Sequence, residues 1–323
     1  MAEINTDVLI VGGGPGGATA AMRLLAEGVT PLIVERERFP RYHIGEAFTG
    51  EGGALVRELG FGDQMVADGH ATKHGVRVFG SGGNANWWVP VMQRTEDKEL
   101  HEVTTYQGHR SKFDKMLLDG ATSRGAELLN GRATEPLMAD DGTTVVGATV
   151  ETAEGKTVDV KAQMTLDCTG QATFLANRKA TGPKYLGSYD KQIALFTQVD
   201  NYIVDGGGSR ELMPGNTHIF YKKKYHWAWA IPLGDGTTSI GIVVPPRRSA
   251  IPRSPSWTSS AGRSASSMRV WPSTSRTRTS STRPTSSRTT RSRCASSPAP
   301  GTCASATPTA SSTPSSPSAS TWP

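Results

Sequence analysis

The apolar residues of this chain first gather in the run Val8–Val11, which stops at Gly12, Gly13 and Gly14. A run of that length closed by glycine predicts a strand, and Pro15 then opens a helix, because its missing N–H would be unpaired there in any case. A second run, from Pro31 to Glu35, predicts a second strand, so strand, turn, helix and strand follow in order. Farther along, Phe113, Met116, Leu117 and Ala121 recur at the three- and four-residue spacing of one helix face. Between Tyr225 and Val244 the period changes to two: Trp227 and Trp229 share one face of a strand.

The periodicity disappears after Arg248, and composition changes at the same point. Ser249–Pro323 holds nine Arg, no Lys, Asp or Glu, and 37 Ser and Thr in 75 positions. Removing those nine charges from the formal +6 of the 323-residue chain leaves −3 for the first 248 residues. The basic character thus belongs to the tail, and the body predicts no nucleic-acid groove. Cys168, Cys294 and Cys303 have neither metal-ligand spacing nor the look of a disulfide framework, so no metal is expected and a reducing compartment fits. The N-terminal apolar run is short, glycine-rich and preceded by acids, unlike a signal peptide or a membrane span. A cytoplasmic location with no membrane partner is expected.

Gly12, Gly14 and Gly17 satisfy the spacing GxGxxG. The first glycine permits a tight turn, the second lets backbone approach a pyrophosphate, and the third lets helix and strand pack closely, with the helix N-terminus facing the anion. Glu35, at the end of the second strand, is placed to accept from a ribose hydroxyl. The motif predicts a dinucleotide site without separating NAD from FAD.

The octet Phe39–Glu46, FPRYHIGE, narrows the choice. With it the chain resembles flavin-dependent halogenases within the wider class of FAD-dependent monooxygenases. The resemblance implies that Arg41 and the Gly45–Glu46 loop lie beside FAD; an exposed basic loop is the alternative for Arg41 alone. Arg110 and Asp114 match the RxxFD pattern, and Arg110 is implied to grip phosphate or ribose oxygens. Asp167–Gly170 is similar to the later strand and turn that bring backbone to FAD, although Gly170 could simply end the strand. Trp227, Trp229, Ile231 and Pro232 match WxWxIP, a signature of these halogenases. There the indoles are implied to keep the arene from the flavin so that halide reacts first; core packing against a sheet is the other reading. Lys73 matches the lysine that such enzymes use to capture hypohalous acid and aim it, a task helped by burial that lowers its pKa. Without the resemblance Lys73 reads as a solvated surface lysine.

The implied fold is α/β: a doubly wound Rossmann-type FAD domain from residues 1–83 and 105–184, a β-rich substrate domain from 84–104 and 185–248, and an unstructured tail at 249–323. The implied reaction is halogenation of an electron-rich arene, such as a phenol or pyrrole, free or carrier-tethered, using oxygen, halide and reduced FAD from a separate flavin reductase. A flavin-dependent aromatic hydroxylase is the rival enzyme, and a non-catalytic protein with an RNA-binding tail the rival of another class. The lysines in FYKKKYHW read as protection of a sheet edge, with binding of a carrier's phosphopantetheine as the alternative.

The tail has a third reading besides linker and RNA-binding arm. If each codon begins one nucleotide earlier, a TCN serine becomes Phe, Leu, Ile or Val, and threonine becomes Tyr, His, Asn or Asp. Ala306–Pro323 then admits GDAHRFIDPIFSFGVHLA, which resembles the second FAD and halide region of flavin-dependent halogenases. Pro255–Met268 admits PELDFLRREIRELH, an amphipathic helix. A frame change near Pro245–Ser254 is therefore expected, leaving the chain as written without its second FAD segment.

Overall fold

A computed structural model describes residues 2–82, 86–96, 98–182, 191–200, 202 and 209–246. The tail at 249–323, with all its readings, lies outside them. The expected opening is present as β1 (Ala2–Val11), α1 (Pro15–Ala26) and β2 (Pro31–Glu35). β1 starts earlier than the apolar run because Ala2–Thr6 pair in parallel with Val158–Ala162. There follow α2 (Gly50–Glu58), α3 (Gly62–Ala67), β3 (Ala71–Lys73), β4 (Gly75–Phe79), β5 (Asn86–Pro90), β6 (Met92–Arg94), β7 (Leu100–Glu102), β8 (Thr105–Gln107) and α4 (Arg110–Ser123). Then come β9 (Glu127–Met138), β10 (Val145–Thr152), β11 (Thr157–Asp167), α5 (Phe174–Asn177), β12 (Ile193–Asp200), β13 (Thr217–Lys223), β14 (His226–Pro232) and β15 (Thr237–Val244).

Five strands close on themselves in the order β1, β11, β10, β9, β2. β11, β1, β2 and the start of β9 run parallel, while β9, β10 and β11 form an antiparallel meander, so β9 and β11 belong to both. The alternation along β1 and β2 explains why both faces are apolar. Val8, Ile10 and Ile33 pack on α1 and α4 through Ala18, Met22, Phe113, Met116 and Leu117. Leu9, Val11, Leu32 and Val34 pack the other way, against Val150, Val160, Phe174 and Leu175. A parallel sheet covered on both faces needs such continuous apolar strands.

The second large sheet has six strands in the order β12, β15, β14, β13, β4, β5. Its β4 falls before residue 84, so the boundary expected at 83/84 cuts through hydrogen-bonded strands: Val78 pairs with Trp87 and Ile219. Two short pairs, β3–β8 and β6–β7, complete the strands. The lysines of FYKKKYHW do not guard an edge. β13 and β14 are interior strands, and Lys222–Lys224 sit at the hairpin between them, with the Lys224 ammonium over the Tyr225 ring. No helix among the described residues is long and apolar enough to cross a membrane.

Candidate active site

The glycine loop follows from backbone sterics. Gly12 has φ +107°, and a Cβ there would lie 2.5 Å from the Cys168 carbonyl oxygen. A Cβ on Gly17 would lie 1.9 Å from the Gly12 carbonyl oxygen, so this glycine sets how closely α1 approaches the loop. Gly14 is the N-cap of α1, and the atom nearest to a Cβ built on it is the Arg41 guanidinium, 3.4 Å away. Glu35 is buried and accepts from the backbone N–H of Gly13 and of Glu37, both at 2.7 Å. Each of its oxygens keeps a lone pair, yet its visible work is to hold the glycine loop against β2.

A residue that the sequence presented only as part of a pattern organises the next layer. Asp114, fully buried one turn into α4, takes both Nε and Nη2 of Arg110 at 2.6 and 2.9 Å. Arg41 Nη1 lies 3.0 Å from the same carboxylate. The N–H groups of that nitrogen are not aimed there, and it has no hydrogen-bond partner among the described residues. Arg110 Nη1 also donates to the carbonyls of Ile44, at 2.6 Å, and Gly45, at 3.3 Å. Gly45 has φ +103°, with Arg110 Nη1 only 3.0 Å from where its Cβ would stand. Arg110 therefore ties the Ile44–Gly45 turn to Asp114, with two hydrogen bonds to each, rather than standing open toward a ligand as the sequence suggested.

Past that turn, Glu46 is 1% exposed. Burial raises its pKa, opposed by hydrogen bonds from Ser239 and Gln198 and by the Arg110 charge. Gln198 Nε2 donates to Oε1 at 3.2 Å, and Ser239 Oγ accepts from the Trp229 indole N–H at 3.2 Å. Glu46, from the FPRYHIGE octet, thus meets Trp229, from WxWxIP, through one serine. Trp227 and Trp229 share a face, 5.8 Å between centroids at 47°, in a cluster with Ile231, Val243, Phe196 and Ile44. The core reading holds for Trp229, which is buried, with the half-buried Trp227 beside it on the same wall. Gly241 makes room for that wall, because a Cβ on it would lie 2.3 Å from the Trp229 ring. Pro232 is buried at the end of β14, beside Thr72 and His74 in a cleft of about 420 Å³.

Two residues beyond Glu46, the Phe48 carbonyl accepts from Lys73 Nζ at 3.1 Å. Lys73 is 8% exposed, and burial lowers its pKa from 10.5 to about 8. The solvated surface reading does not survive: β3, pinned to β8 by the Lys73–Thr105 pairing, carries the side chain inward. Asp167 closes the glycine loop from the far side. Its Oδ1 accepts from Thr169 N and Oγ1, its Oδ2 accepts from Leu175 N, and the adjoining Cys168 N–H donates to Val11. Gly170 has φ +59° with open space around it.

The residues fit FAD. A long helix begins at a glycine loop, and the Arg41 guanidinium and the Glu46 Oε2 each keep a buried polar atom without a partner among the described residues. The family model described as FAD dependent oxidoreductase matches residues 7–233, more than half of the chain. The chain belongs to this family. FAD is its cofactor, and the kinship to flavin-dependent halogenases read from the motifs holds. This FAD dependent oxidoreductase is 35% identical over 248 residues to a 1H-pyrrole-2-carbonyl-(peptidyl-carrier protein) brominase of Pseudoalteromonas luteoviolacea, covering 76% of the chain and 56% of that protein. It is 28% identical to a tryptophan 2-halogenase of Chondromyces crocatus, covering 74% of the chain and 43% of that protein. The solved structure of flavin-dependent brominase Bmp2 superposes with a TM-score of 0.67 at 34% identity, covering 75% of the chain and 56% of Bmp2. The chain spans about half the length of these curated relatives.

Asp114, Gln198, Ser239, Gly241 and Phe48 escaped sequence reasoning as site residues. Asp114 alone carried a signal, its spacing of four from Arg110 on a helix. The others act through contacts between segments far apart in the chain, or through a backbone carbonyl.

Proposed function

We propose that the complete form of this FAD dependent oxidoreductase halogenates an electron-rich heteroarene, a pyrrole tethered to a carrier protein being the favoured class, with Lys73 directing the oxidised halide. Reduced FAD, bound at the glycine loop, supplies the chemistry by which oxygen and halide give hypohalous acid and water. The chain's own residues do the rest. Gly12, Gly14 and Gly17 admit the cofactor, Glu35 and Asp167 hold the loop from either side, and Arg41 offers its unpaired N–H to the cofactor's anionic oxygens. Trp227 and Trp229, with Ile231 and Pro232 behind them, exclude water and arene from the flavin side. Lys73 binds hypohalous acid at Nζ, and the arene carbon takes the halogen while its displaced proton leaves with the hydroxyl as water.

The observation that carries this reading is the buried Lys73 ammonium, held by the Phe48 carbonyl with a pKa of about 8. Near neutral pH such an amine keeps its proton for a hydrogen bond, yet can give it up with little cost. The pyrrole-2-carbonyl carrier-protein brominase and chlorinase names among the relatives support the substrate class. We assign the five-stranded ring with α1 and α4 to FAD binding and the six-stranded sheet, including β4, to the substrate part.

The test uses the chain with its tail read in the other frame, once the source DNA across the codons for Pro245–Ser254 has been checked. With flavin reductase, NADH, bromide and a pyrrolyl carrier protein, brominated product is expected, and none from Lys73→Ala of equal FAD content. Hydroxylated product formed without halide would overturn the assignment in favour of a hydroxylase.

A further inference from the structure

The lysines at the β13–β14 hairpin lack the duty that a sheet edge gives to lysine, because both strands are interior. Lys222, Lys223 and Lys224 are consecutive and exposed, in a body whose first 248 residues carry a net charge of −3. They set a local positive field on a slightly acidic body. Such a cluster suits a phosphate, for which lysine is a point-charge partner.

The hairpin lies at one end of the sheet face that carries the two indoles, and Lys73 lies at the other. β3 passes through His74 directly into β4, and the N–H groups of His74 and Gly75 both donate to Asn216 Oδ1, just before β13. Because β4 and β13 run parallel, with Val76 beside Thr217, Lys73 sits by the start of β13 and the lysines stand at its end. From Thr217 to Lys223 the strand covers about 20 Å. The strip between is apolar and open. By the registers, Tyr221 and Ile219 share the face of Trp227 and Trp229, and Trp87 lies on that face across from Val78, the neighbour of Ile219. Tyr221 is 44% exposed and Trp87 51%, whereas Trp229, farther toward β15, is buried with Ile44 beside it. An acyl-phosphopantetheine has the same order of parts: a phosphate at one end, a chain with a gem-dimethyl group, and the acyl group at the other end. Extended, it spans that distance.

We propose that Lys222 and Lys223 hold the phosphate of a phosphopantetheine arm, whose body lies along Tyr221, Ile219 and Trp87 and whose acyl end reaches the Lys73 end of the sheet. The site rests on the carrier-tethered substrate proposed above, and it fixes where the carrier's arm meets this chain.

The experiment adds phosphopantetheine, with a photoreactive benzophenone acyl group on its sulfur, to the full chain as written, and maps the adducts by fragment mass spectrometry. Adducts are expected at Trp87, Val89 and Thr217–Ile219. They should fall at least tenfold when Lys222→Glu and Lys223→Glu are combined, and as much with the same probe lacking its phosphate. Lys156→Glu, an equal charge change at the exposed β10–β11 turn, should leave them unchanged. A carrier protein bearing the same arm on its serine should label the same residues. Adducts confined to 249–323, equal labelling without the phosphate, indifference to the lysine reversals, or labelling by the free arm but not by the carrier would each overturn the proposal. None of these readouts depends on FAD or on halogenation. Brominated carrier product from the restored chain, with labelling that ignores the lysines, would remove this site and leave the proposed reaction standing. Labelling as expected without brominated product would remove the reaction and leave the site.

Discussion

Replacing Lys73 with Met tests the physical basis of the site without requiring turnover. Methionine keeps the length and apolar stem of the side chain and removes only the ammonium. Burial holds the Lys73 pKa at about 8, against 10.5 when unfolded. The folded state thus binds this proton more weakly than the unfolded state, and the penalty is fully present below pH 8. At pH 7 it amounts to about 3 kcal/mol, from about 1.36 kcal/mol for each pH unit of difference. The Phe48 carbonyl loses its donor in the variant, which costs about 1 kcal/mol. Lys73→Met is therefore expected to be more stable than the parent at pH 7 by about 2 kcal/mol. As pH rises from 8 toward 10.5 the unfolded lysine holds more proton than the folded one, so parent stability climbs. By about pH 10 only about 1 kcal/mol of penalty remains, and the advantage of Met vanishes. Urea denaturation of both proteins at about pH 7 and about pH 10, followed by circular dichroism, measures this. A Met variant less stable at neutral pH, or an equal difference at both pH values, would refute the buried-ammonium account.

The glycine loop yields a paired prediction. Gly17→Ala should abolish FAD binding in a flavin-fluorescence titration, because its Cβ meets the Gly12 carbonyl at 1.9 Å, while Gly16→Ala, with no atom within 4 Å, should bind normally and gain about 0.5–1 kcal/mol in helix α1. Asp114→Asn keeps the shape of the side chain but leaves Arg41 and Arg110 without their shared buried carboxylate. A loss of about 3–5 kcal/mol in thermal or urea unfolding is expected, and a loss under about 1 kcal/mol would show that the arginines find other partners. Glu46 has a raised pKa, so its folded form binds the proton more tightly, and the stability it contributes is present below pH 4.5 and declines above that value. Glu46→Gln should flatten that decline in a pH series of unfolding curves, and an unchanged slope would count against a buried carboxylic acid there.

Local pattern alone carried the opening of the fold. Val8–Val11, the three glycines, Pro15 and the run to Glu35 lie within one short stretch, and each residue's role follows from its neighbours in sequence. The period of two likewise sufficed to put Trp227 and Trp229 on one face of a strand. Site chemistry was less legible. Lys73 sits between a threonine and a histidine, and nothing local tells whether its ammonium meets water; β8, far along the chain at Thr105–Gln107, turns it inward. Arg110 looked free to hold a ligand because its partners, Ile44 and Gly45, come from a distant loop. Ser239 and Gln198 gain meaning only where the six-stranded sheet comes down on Glu46. Hydrophobic period and glycine chemistry are properties of neighbouring residues and can be read along the chain. Burial, pKa and hydrogen-bond partnership depend on which distant segments exclude water from a group, and only the tertiary structure decides that.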